Sequence, residues 1–207
     1  MFAVSSIDAA KAYYQELQKQ QKYSDNRKGE SMNFHKKKSS IPENTPDRPV
    51  IALAGNPNVG KSTLFNNLTS GKKQHTGNWI GKTTANAWGI CPGIAKDYVL
   101  VDIPGTYSLS SRSAEETVAR DFICFGAHQA VVIVCDATCL ERNLNLVLQI
   151  LEATDRVLVC VNLLDEAEKK GIQIDLDQLS DLLCIPVAGT SARKKCTLIP
   201  LLKELYD

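Results

Sequence analysis

The 207-residue sequence lacks several features that would assign it to a common class of protein. No apolar run approaches the roughly 18 residues that cross a bilayer, and residues 1–30 hold no continuous apolar core of the kind a secretory signal needs. The seven cysteines form no C-x-x-C pair, and Cys135 and Cys160 lie in apolar runs, so neither a zinc site nor a disulfide framework is expected. Of the three histidines, neither His75 nor His128 has a second ligand at metal spacing.

The sequence also lacks a strong charge of either sign. Lys and Arg number 24 and Asp and Glu 23, for a net charge of +1. A domain that binds a polyanion along a broad face is usually more basic, so no nucleic-acid partner is expected. The apolar content of 43% is enough for a globular core, and the length suggests one domain of ordinary size with some additional chain.

The additional chain is predicted to be residues 1–48. Asp8 to Tyr23 could form a helix, but its apolar positions make only a thin stripe. Residues 24–48 are rich in Ser, Asn, Lys and Pro, and include the run Lys36-Lys37-Lys38. That composition is typical of a linker or tail, and the lysine run is interpreted as a solvated stretch. We therefore expect an N-terminal extension, partly helical or disordered, followed by one domain at 49–207.

The predicted domain alternates apolar strands with amphipathic helices. The predicted strands are Val50–Ala54, Ala85–Cys91, Tyr98–Val101, Ala130–Cys135, Val157–Val161 and Ile185–Val187. The predicted helices are Lys61–Ser70, Ala114–Phe125, Leu140–Ala153, Leu176–Leu183 and Leu198–Tyr206, and Ser113 with Glu116 is a candidate capping box. Apolar strands separated by such helices predict an α/β fold with a mostly parallel, six-stranded sheet covered on both faces.

The stretch Gly55 to Thr63, G-N-P-N-V-G-K-S-T, matches the phosphate-loop pattern G-x-x-x-x-G-K-[ST] between a predicted strand and a predicted helix. Gly55 and Gly60 allow the backbone to turn around an anion, so that its N–H groups and the helix N-terminus face the phosphates. Lys61 can reach the β- and γ-phosphates, and the Ser62 hydroxyl is a hard oxygen ligand for Mg²⁺.

Three further segments occur in the order that a GTP-binding domain requires. Asp102-Ile103-Pro104-Gly105 ends a predicted strand, where its carboxylate could hold Mg²⁺ through water and the Gly105 N–H could reach the γ-phosphate. Asn162-Leu163-Leu164-Asp165 follows another predicted strand. The carboxylate of Asp165 can accept both adjacent donors of guanine, a pair that adenine lacks, while Asn162 would support the base edge and join the loops. Leu163 stands where a Lys is usual. Thr190-Ser191-Ala192 would present a backbone N–H to guanine O6.

The segment from Gly77 to Thr84, G-N-W-I-G-K-T-T, lies where a mobile switch belongs. A Thr hydroxyl there could complete the Mg²⁺ shell only while a γ-phosphate is present. Thr83 is the predicted ligand and Thr84 the close alternative.

Taken together, G-N-P-N-V-G-K-S-T, G-N-W-I-G-K-T, D-I-P-G-T-Y-S-L-S, S-x-E-E-x-V-A-R-D, N-L-L-D and T-S-A-R-K resemble the G domain of the FeoB ferrous-iron transporter family over about residues 49–207. The resemblance implies a Ras-like P-loop GTPase fold on the cytosolic side of a membrane permease for Fe²⁺. The permease portion, in the same or a separate chain, is then an expected partner, and oligomers could form through it. The expected location is the cytoplasm, at the inner face of the cell membrane, with no transmembrane segment in this chain.

The resemblance also bears on hydrolysis. Thr106 follows Gly105, where many small GTPases place a Gln that orients the attacking water. In FeoB-like GTPases an Asn at the position of Asn58 helps to bind K⁺, together with carbonyls that would come here from about Gly77 to Trp79. K⁺ could then neutralise charge as an arginine finger does, although Asn58 could instead form hydrogen bonds only within its loop. Arg112 and Arg120 are weaker candidates for fingers and are interpreted as surface or ion-pair residues.

The expected function is GTP binding and hydrolysis associated with ferrous-iron transport. The alternatives are an assembly GTPase acting on ribosomes or tRNA, and a catalytically silent nucleotide-binding module. Lys61, Thr83, Gly105 and Asn58 are the predicted catalytic residues, and Ser62, Thr83, Asp102 and Asn58 the predicted metal ligands for Mg²⁺ or K⁺. The predicted contacts to GTP or GDP are Gly55, Asn56, Pro57, Asn58, Val59, Gly60, Lys61, Ser62, Thr63, Asn162, Asp165, Ser191 and Ala192.

Overall fold

The computed structural model of the protein describes residues 48–69, 75–78, 85–92, 97–110, 113–194, 198 and 201. The predicted N-terminal extension, except for its last residue, and the predicted switch residues Thr83 and Thr84 lie outside the described residues. So do Arg112 and all of the predicted last helix except Leu198 and Leu201, which are both helical.

The described part of the chain forms a seven-stranded sheet with helices between its strands. The strands are β1 Val50–Gly55, β2 His75–Asn78, β3 Ala85–Cys91, β4 Tyr98–Asp102, β5 Ala130–Asp136, β6 Val157–Asn162 and β7 Val187–Gly189. The α-helices are α1 Lys61–Leu68, α2 Ala114–Phe125, α3 Leu140–Ala153, α4 Leu164–Lys169 and α5 Leu176–Leu183, with a 3-10 turn at Ala137–Cys139.

The order of the strands across the sheet is β2-β3-β4-β1-β5-β6-β7. The pairs β4-β1, β1-β5, β5-β6 and β6-β7 are parallel, and only β2-β3 and β3-β4 are antiparallel. This arrangement confirms the predicted fold class, a mostly parallel α/β sheet. The predicted count of six strands was one too low, because β2 at the edge of the sheet was missed.

β2 has the sequence His-Thr-Gly-Asn, with neither apolar alternation nor strong strand propensity. Its antiparallel pairing with β3, from His75 opposite Trp88 to Asn78 opposite Ala85, makes it a strand. Such pairing uses backbone groups, which a residue-type pattern does not reveal.

The last strand lies two residues later than predicted, at Val187–Gly189 instead of Ile185–Val187. Cys184 ends α5 in the left-handed conformation, and Pro186 has no N–H to donate to a neighbouring strand. Its carbonyl accepts a hydrogen bond from Val159 N–H at 3.0 Å, just before the ladder begins.

Four strands extend one residue beyond their predicted ends. The added residues are Gly55, Asp102, Asp136 and Asn162, at the carboxyl ends of β1, β4, β5 and β6. None of them is apolar, so an apolar run stops before them, although their backbones continue the ladder. The sheet thereby places several polar side chains together at the carboxyl ends of its strands.

The core lies on both faces of the sheet. Val50, Ala52 and Ala54 of β1 pack in a cluster that includes residues of α2, α3 and α5. The alternate residues Ile51 and Leu53 pack on the opposite face with residues of α1 and with Leu198 and Leu201. Because successive strand side chains point to opposite faces, a strand buried on both sides must be apolar throughout.

The predicted helix boundaries at Ala114–Phe125, Leu140–Ala153 and Leu176–Leu183 are confirmed. The capping box before α2 is also confirmed: Glu116 N–H donates to Ser113 Oγ at 3.1 Å and Ser113 N–H donates to the Glu116 carboxylate at 3.3 Å. The short helix α4 was not predicted. It follows Leu163, which adopts a left-handed φ of 64°, and it has too few turns to show an apolar stripe.

Candidate functional site

The candidate site lies at the edge of the sheet where the parallel strands β4, β1, β5, β6 and β7 end. The chain leaves β1 through residues 55–60, β4 through 102–106, β6 through 162–165 and β7 through 190–192. In an open α/β sheet, ligands bind at the carboxyl ends of the strands, where the strand order reverses. β1 is at that point here, with β4 on one side and β5 on the other.

The loop between β1 and α1 has the backbone of an anion cradle. Gly55, Asn58 and Gly60 have positive φ angles of 151°, 66° and 83°. At Gly60 a Cβ would collide with the amide of Asn162, so both the φ angle and the space require glycine. α1 has no side-chain cap at its N-terminus and no acidic residue in its first turn, which leaves its first N–H groups available to a negative ligand.

Within this loop and the first turn of α1 the residues differ in exposure. Asn56 and Val59 are buried, Pro57 and Gly60 are half-buried, and Asn58, Ser62 and Thr63 are exposed. The buried Oδ1 of Asn56 has no hydrogen-bond partner within the described part of the chain. The side chain of Asn58 is exposed on the surface of the loop.

Lys61, Ser62 and Asp102 come together although β4 and α1 are about forty positions apart in sequence. Lys61 Nζ forms an ion pair with Asp102 and donates a hydrogen bond to the Ile103 carbonyl at 2.6 Å. Ser62 Oγ lies 3.3 Å from Asp102 Oδ2. Hydroxyl and carboxylate oxygens are the hard ligands that Mg²⁺ takes, with phosphate oxygens and waters completing its octahedron. The residues present therefore fit a magnesium ion.

Gly105 lies against the phosphate loop, since a Cβ on it would be 3.2 Å from Pro57 Cα. The next residue, Thr106, is buried, and its N–H donates to the Gly55 carbonyl at 3.2 Å. Its hydroxyl donates to the Ser108 carbonyl at 2.6 Å and accepts from Ser108 N–H at 3.2 Å. The Thr106 side chain thus closes a turn.

Asn162 is fully buried and joins its own loop, residues 162–165, to two other loops of the site. Its Nδ2 donates to the Val59 carbonyl of the phosphate loop at 2.9 Å. Its Oδ1 accepts from Ala192 N–H at 2.9 Å and from the Thr190 hydroxyl at 3.1 Å. The side chain therefore fixes the distance between the phosphate loop and the 190–192 loop.

Asp165 lies in the first turn of α4, half-exposed. Its N–H donates to Ser191 Oγ at 3.1 Å. Desolvation favours the neutral acid, but hydrogen bonds from the Ser191 hydroxyl and its own backbone N–H, with the positive charges of Lys194 and Lys169, lower the pKa of Asp165 below its usual value. An ionised carboxylate held by the 190–192 loop is suited to accept a pair of N–H donors.

Sequence reasoning missed two side-chain contacts that hold this site together. The Thr190 side chain bonds to Asn162, and Asn67 Nδ2 on α1 donates to the Ala192 carbonyl at 2.5 Å. No local pattern marks Asn67, because its partner is 125 residues away. Arg120 pairs with the adjacent Asp121, with N–O distance 2.8 Å, in agreement with the interpretation of Arg120 as an ion-pair residue.

A family model described as "Ferrous iron transport protein B" matches residues 49–205. The chain belongs to the FeoB family. This confirms the resemblance seen in the motifs, and it favours that resemblance over a ribosome- or tRNA-associated GTPase. The boundary between residues 48 and 49 stays a prediction.

Two curated relatives are the Fe(2+) transporters FeoB of Salmonella typhimurium and Escherichia coli K12, each 46% identical over 142 residues. Each match covers 67% of this chain but only 18% of the relative. The chain therefore spans about a fifth of the length of these FeoB proteins.

Solved FeoB structures show the same fold. The G domain of the T. maritima FeoB iron transporter is 39% identical with a TM-score of 0.72, covering 77% of this chain and 98% of that one. The FeoB G domain from Methanococcus jannaschii is 39% identical with a TM-score of 0.68, covering 77% and 96%. The cytosolic domain of T. maritima FeoB in its GMPPNP form is 40% identical with a TM-score of 0.73, covering 76% and 62%. This chain thus contains a FeoB G domain of the P-loop GTPase class.

Proposed function

We propose that this chain binds GTP together with Mg²⁺ and hydrolyses the GTP to GDP and phosphate. The observation that carries the proposal is the bridge through Asn162, which holds the Val59 carbonyl of the phosphate loop and the Ala192 N–H of the 190–192 loop on one side chain. A phosphate-binding loop and a base-reading loop held at a fixed separation form a site for a nucleotide. The GMPPNP and GDP forms of the related T. maritima cytosolic domain support the same proposal.

The phosphates would lie over residues 55–63. The backbone N–H groups of the loop and the first turn of α1 would bind their oxygens, and Lys61 would exchange part of its pairing with Asp102 for the β- and γ-phosphates. Ser62 and Asp102 would hold Mg²⁺, and the ion would neutralise charge on the β- and γ-phosphate oxygens when bound. Gly105, which lies against Pro57, would donate its N–H to the γ-phosphate.

The base would be identified by Asp165 and the 190–192 loop. The Asp165 carboxylate would accept hydrogen bonds from N1–H and the 2-amino group of guanine, and Ser191 would hold this carboxylate in place. The loop backbone at Ala192, which Asn67 and Asn162 hold in place, would lie opposite this carboxylate. Adenine presents no such pair of donors.

In the hydrolytic step a water attacks the γ-phosphorus, and the bond to the oxygen that bridges to the β-phosphate breaks. The Thr106 hydroxyl is committed to Ser108 and does not orient that water. Lys61 would neutralise the charge that develops on the phosphates, and K⁺ held by Asn58 would add to that neutralisation. The exposed amide of Asn58 on the phosphate loop is suited to that role. The Thr83 hydroxyl would be the switch ligand.

The nucleotide proposal is tested by calorimetry on the purified chain in the presence of Mg²⁺. GTP and GDP are expected to bind much more tightly than ATP, and Asp165→Ala is expected to remove the difference between guanine and adenine nucleotides. Lys61→Ala is expected to weaken GTP binding while leaving the fold intact. Equal affinity of the wild-type chain for ATP and GTP would refute the assignment.

Hydrolysis is tested by single-turnover measurement of phosphate release. Binding of GTP without release of phosphate would show a silent nucleotide-binding module instead of a GTPase. Release is expected to be faster in K⁺ than in Na⁺, and Asn58→Ala is expected to abolish that difference. Equal rates in the two salts would refute the proposed potassium site without affecting the other assignments of the mechanism.

The relation to iron transport rests on the names of the relatives, of which this chain covers 18%. None of the helices in the described ranges combines the length and the apolar character that a bilayer-spanning segment needs. We propose that the chain acts at the inner face of the cell membrane with a permease portion for Fe²⁺, in the same or another polypeptide, through which oligomers could form. We expect the chain to co-purify in detergent with the membrane portion of a FeoB relative. This association is expected to weaken when GDP replaces GTP.

A further inference from the structure

The segment Thr106 to Ser110, which follows Gly105, is held to α3 by one glutamine. Gln149 Oε1 accepts a hydrogen bond from Leu109 N–H at 2.8 Å and another from the Ser108 hydroxyl at 3.1 Å. These partners are about 40 positions from Gln149 in sequence. A single side-chain oxygen thus fixes two consecutive residues of the segment.

A second contact comes from the same face of α3. Arg142 lies over the ring of Tyr107, with its guanidinium carbon 4.5 Å from the ring centroid. Arg142 and Gln149 are seven residues apart, so they are two helical turns apart on one side of the helix. Tyr107 therefore meets the first of these turns and Leu109 the second, and the segment runs along α3.

The opposite end of the segment is joined to the phosphate loop. Thr106 N–H donates to the Gly55 carbonyl at 3.2 Å, and the Thr106 hydroxyl closes the turn to Ser108 at 2.6 Å. A chain of hydrogen bonds consequently leads from Gly55 through Thr106 and Ser108 to Gln149. Gly105, against Pro57, is next to the first link of this chain.

We propose that Gln149 is a positioning residue for GTP hydrolysis, which holds the 106–110 segment so that Gly105 stays in place over the phosphate loop. This inference rests on the proposed function. Within the described ranges, the hydrogen bonds of Gln149 go to Ser108 and Leu109, so it would act through the 106–110 segment. Gln149 is expected to contribute to GTP hydrolysis and not to GDP binding. The reason is that the Gly105 N–H is assigned to the γ-phosphate, which GDP lacks.

The test compares Gln149→Met, Gln149→Glu and wild type. Methionine keeps the length of the side chain and loses the strong acceptor. Glutamate keeps an acceptor oxygen for Leu109 N–H and the Ser108 hydroxyl. Gln149→Met is expected to slow single-turnover phosphate release about tenfold, the effect of one to two lost hydrogen bonds, while GDP affinity changes less than about twofold. Gln149→Glu is expected to restore most of the rate, and Asn145→Leu, at an exposed position of the same helix, to match wild type.

Hydrogen exchange adds a readout that does not depend on hydrolysis. Gln149→Met is expected to lose amide protection at Leu109, and Gln149→Glu to retain it. Should Gln149→Met fail to fold, Ser108→Ala removes one of the two bonds to Gln149, together with the bonds of the Ser108 hydroxyl to Ser110, and a loss of rate in the same direction is expected.

The outcomes separate this inference from the proposed function. A wild-type chain that binds GTP without hydrolysing it refutes the proposed GTPase activity. A wild-type chain that hydrolyses GTP, with an unchanged rate in Gln149→Met, refutes only the role of Gln149. Equal losses of rate and GDP affinity in Gln149→Met, or a Gln149→Glu variant as slow as Gln149→Met, would show a general structural role and overturn the proposal as well.

Discussion

Replacement of Asn162 by Ala is expected to destabilise the protein more than any other single truncation at the site. The substitution removes three buried hydrogen bonds, at 2.9, 2.9 and 3.1 Å. It leaves the Val59 carbonyl, the Ala192 N–H and the Thr190 hydroxyl without that partner. The net value of a hydrogen bond is about 1 kcal/mol, and an orphaned buried group costs about 1–3 kcal/mol.

The Thr190 hydroxyl keeps Cys160 Sγ as a partner at 3.2 Å, so two orphaned groups and one lost bond give a simple sum of about 3–7 kcal/mol. Entry of water into the space left by the amide offsets part of that cost, so we expect a loss of about 3–5 kcal/mol. Typical domains have about 5–15 kcal/mol in total, which makes the variant measurable by urea unfolding followed by circular dichroism. Because the loops are no longer joined, GDP affinity should fall in addition at temperatures where the variant is folded.

Asn162→Asp is the matched variant. It keeps an acceptor for Ala192 N–H and Thr190, but places an oxygen against the Val59 carbonyl, in a site with no exposure. Burial raises the pKa of such a carboxyl, so the variant should become more stable relative to wild type as pH falls and the acid is protonated. A loss below about 1 kcal/mol in Asn162→Ala, or a pH-independent Asn162→Asp, would refute the reasoning from orphaned groups.

Three further predictions concern the surroundings of the site. Ser191→Ala removes a hydrogen bond that lowers the pKa of Asp165, so the affinity for guanine nucleotides should fall about fivefold. In wild type the contribution of the carboxylate is present above the ordinary Asp range and is lost as pH falls through the lowered pKa. Because the pKa of Asp165 is higher in the variant, its affinity should decline at a higher pH than that of wild type. Titration calorimetry across pH tests this, and identical pH profiles would contradict it. Asn67→Ala removes the bond to the Ala192 carbonyl and should speed GDP dissociation about fivefold, measured with a fluorescent GDP; an unchanged rate would contradict the coupling. Leu146→Ala, at a side chain only 1% exposed, should cost about 2–5 kcal/mol, whereas Phe125→Ser, at 76% exposure, should stay within about 0.5 kcal/mol; urea unfolding that gave similar losses would contradict the burial argument.

The amino-acid sequence by itself determined the parts of this protein that depend on neighbouring residues. The apolar runs of β1 and β5, the bounds of α2 and α3, and the capping box at Ser113 all follow from periodicity and caps within a few positions. The phosphate-loop pattern from Gly55 to Thr63 is also local, since strand, turn and helix are consecutive in the chain.

Only the tertiary structure decided which distant groups meet. β2 became a strand through its pairing with β3, and α4 formed after a left-handed turn at Leu163. The bridge from Asn162 to Val59 joins residues that are 103 positions apart in sequence. The bonds from Gln149 to the 106–110 segment span about 40 positions. An amide side chain has much the same local propensity whichever partner it finds, so its role is fixed by the order of the strands across the sheet and not by the residues beside it in the chain.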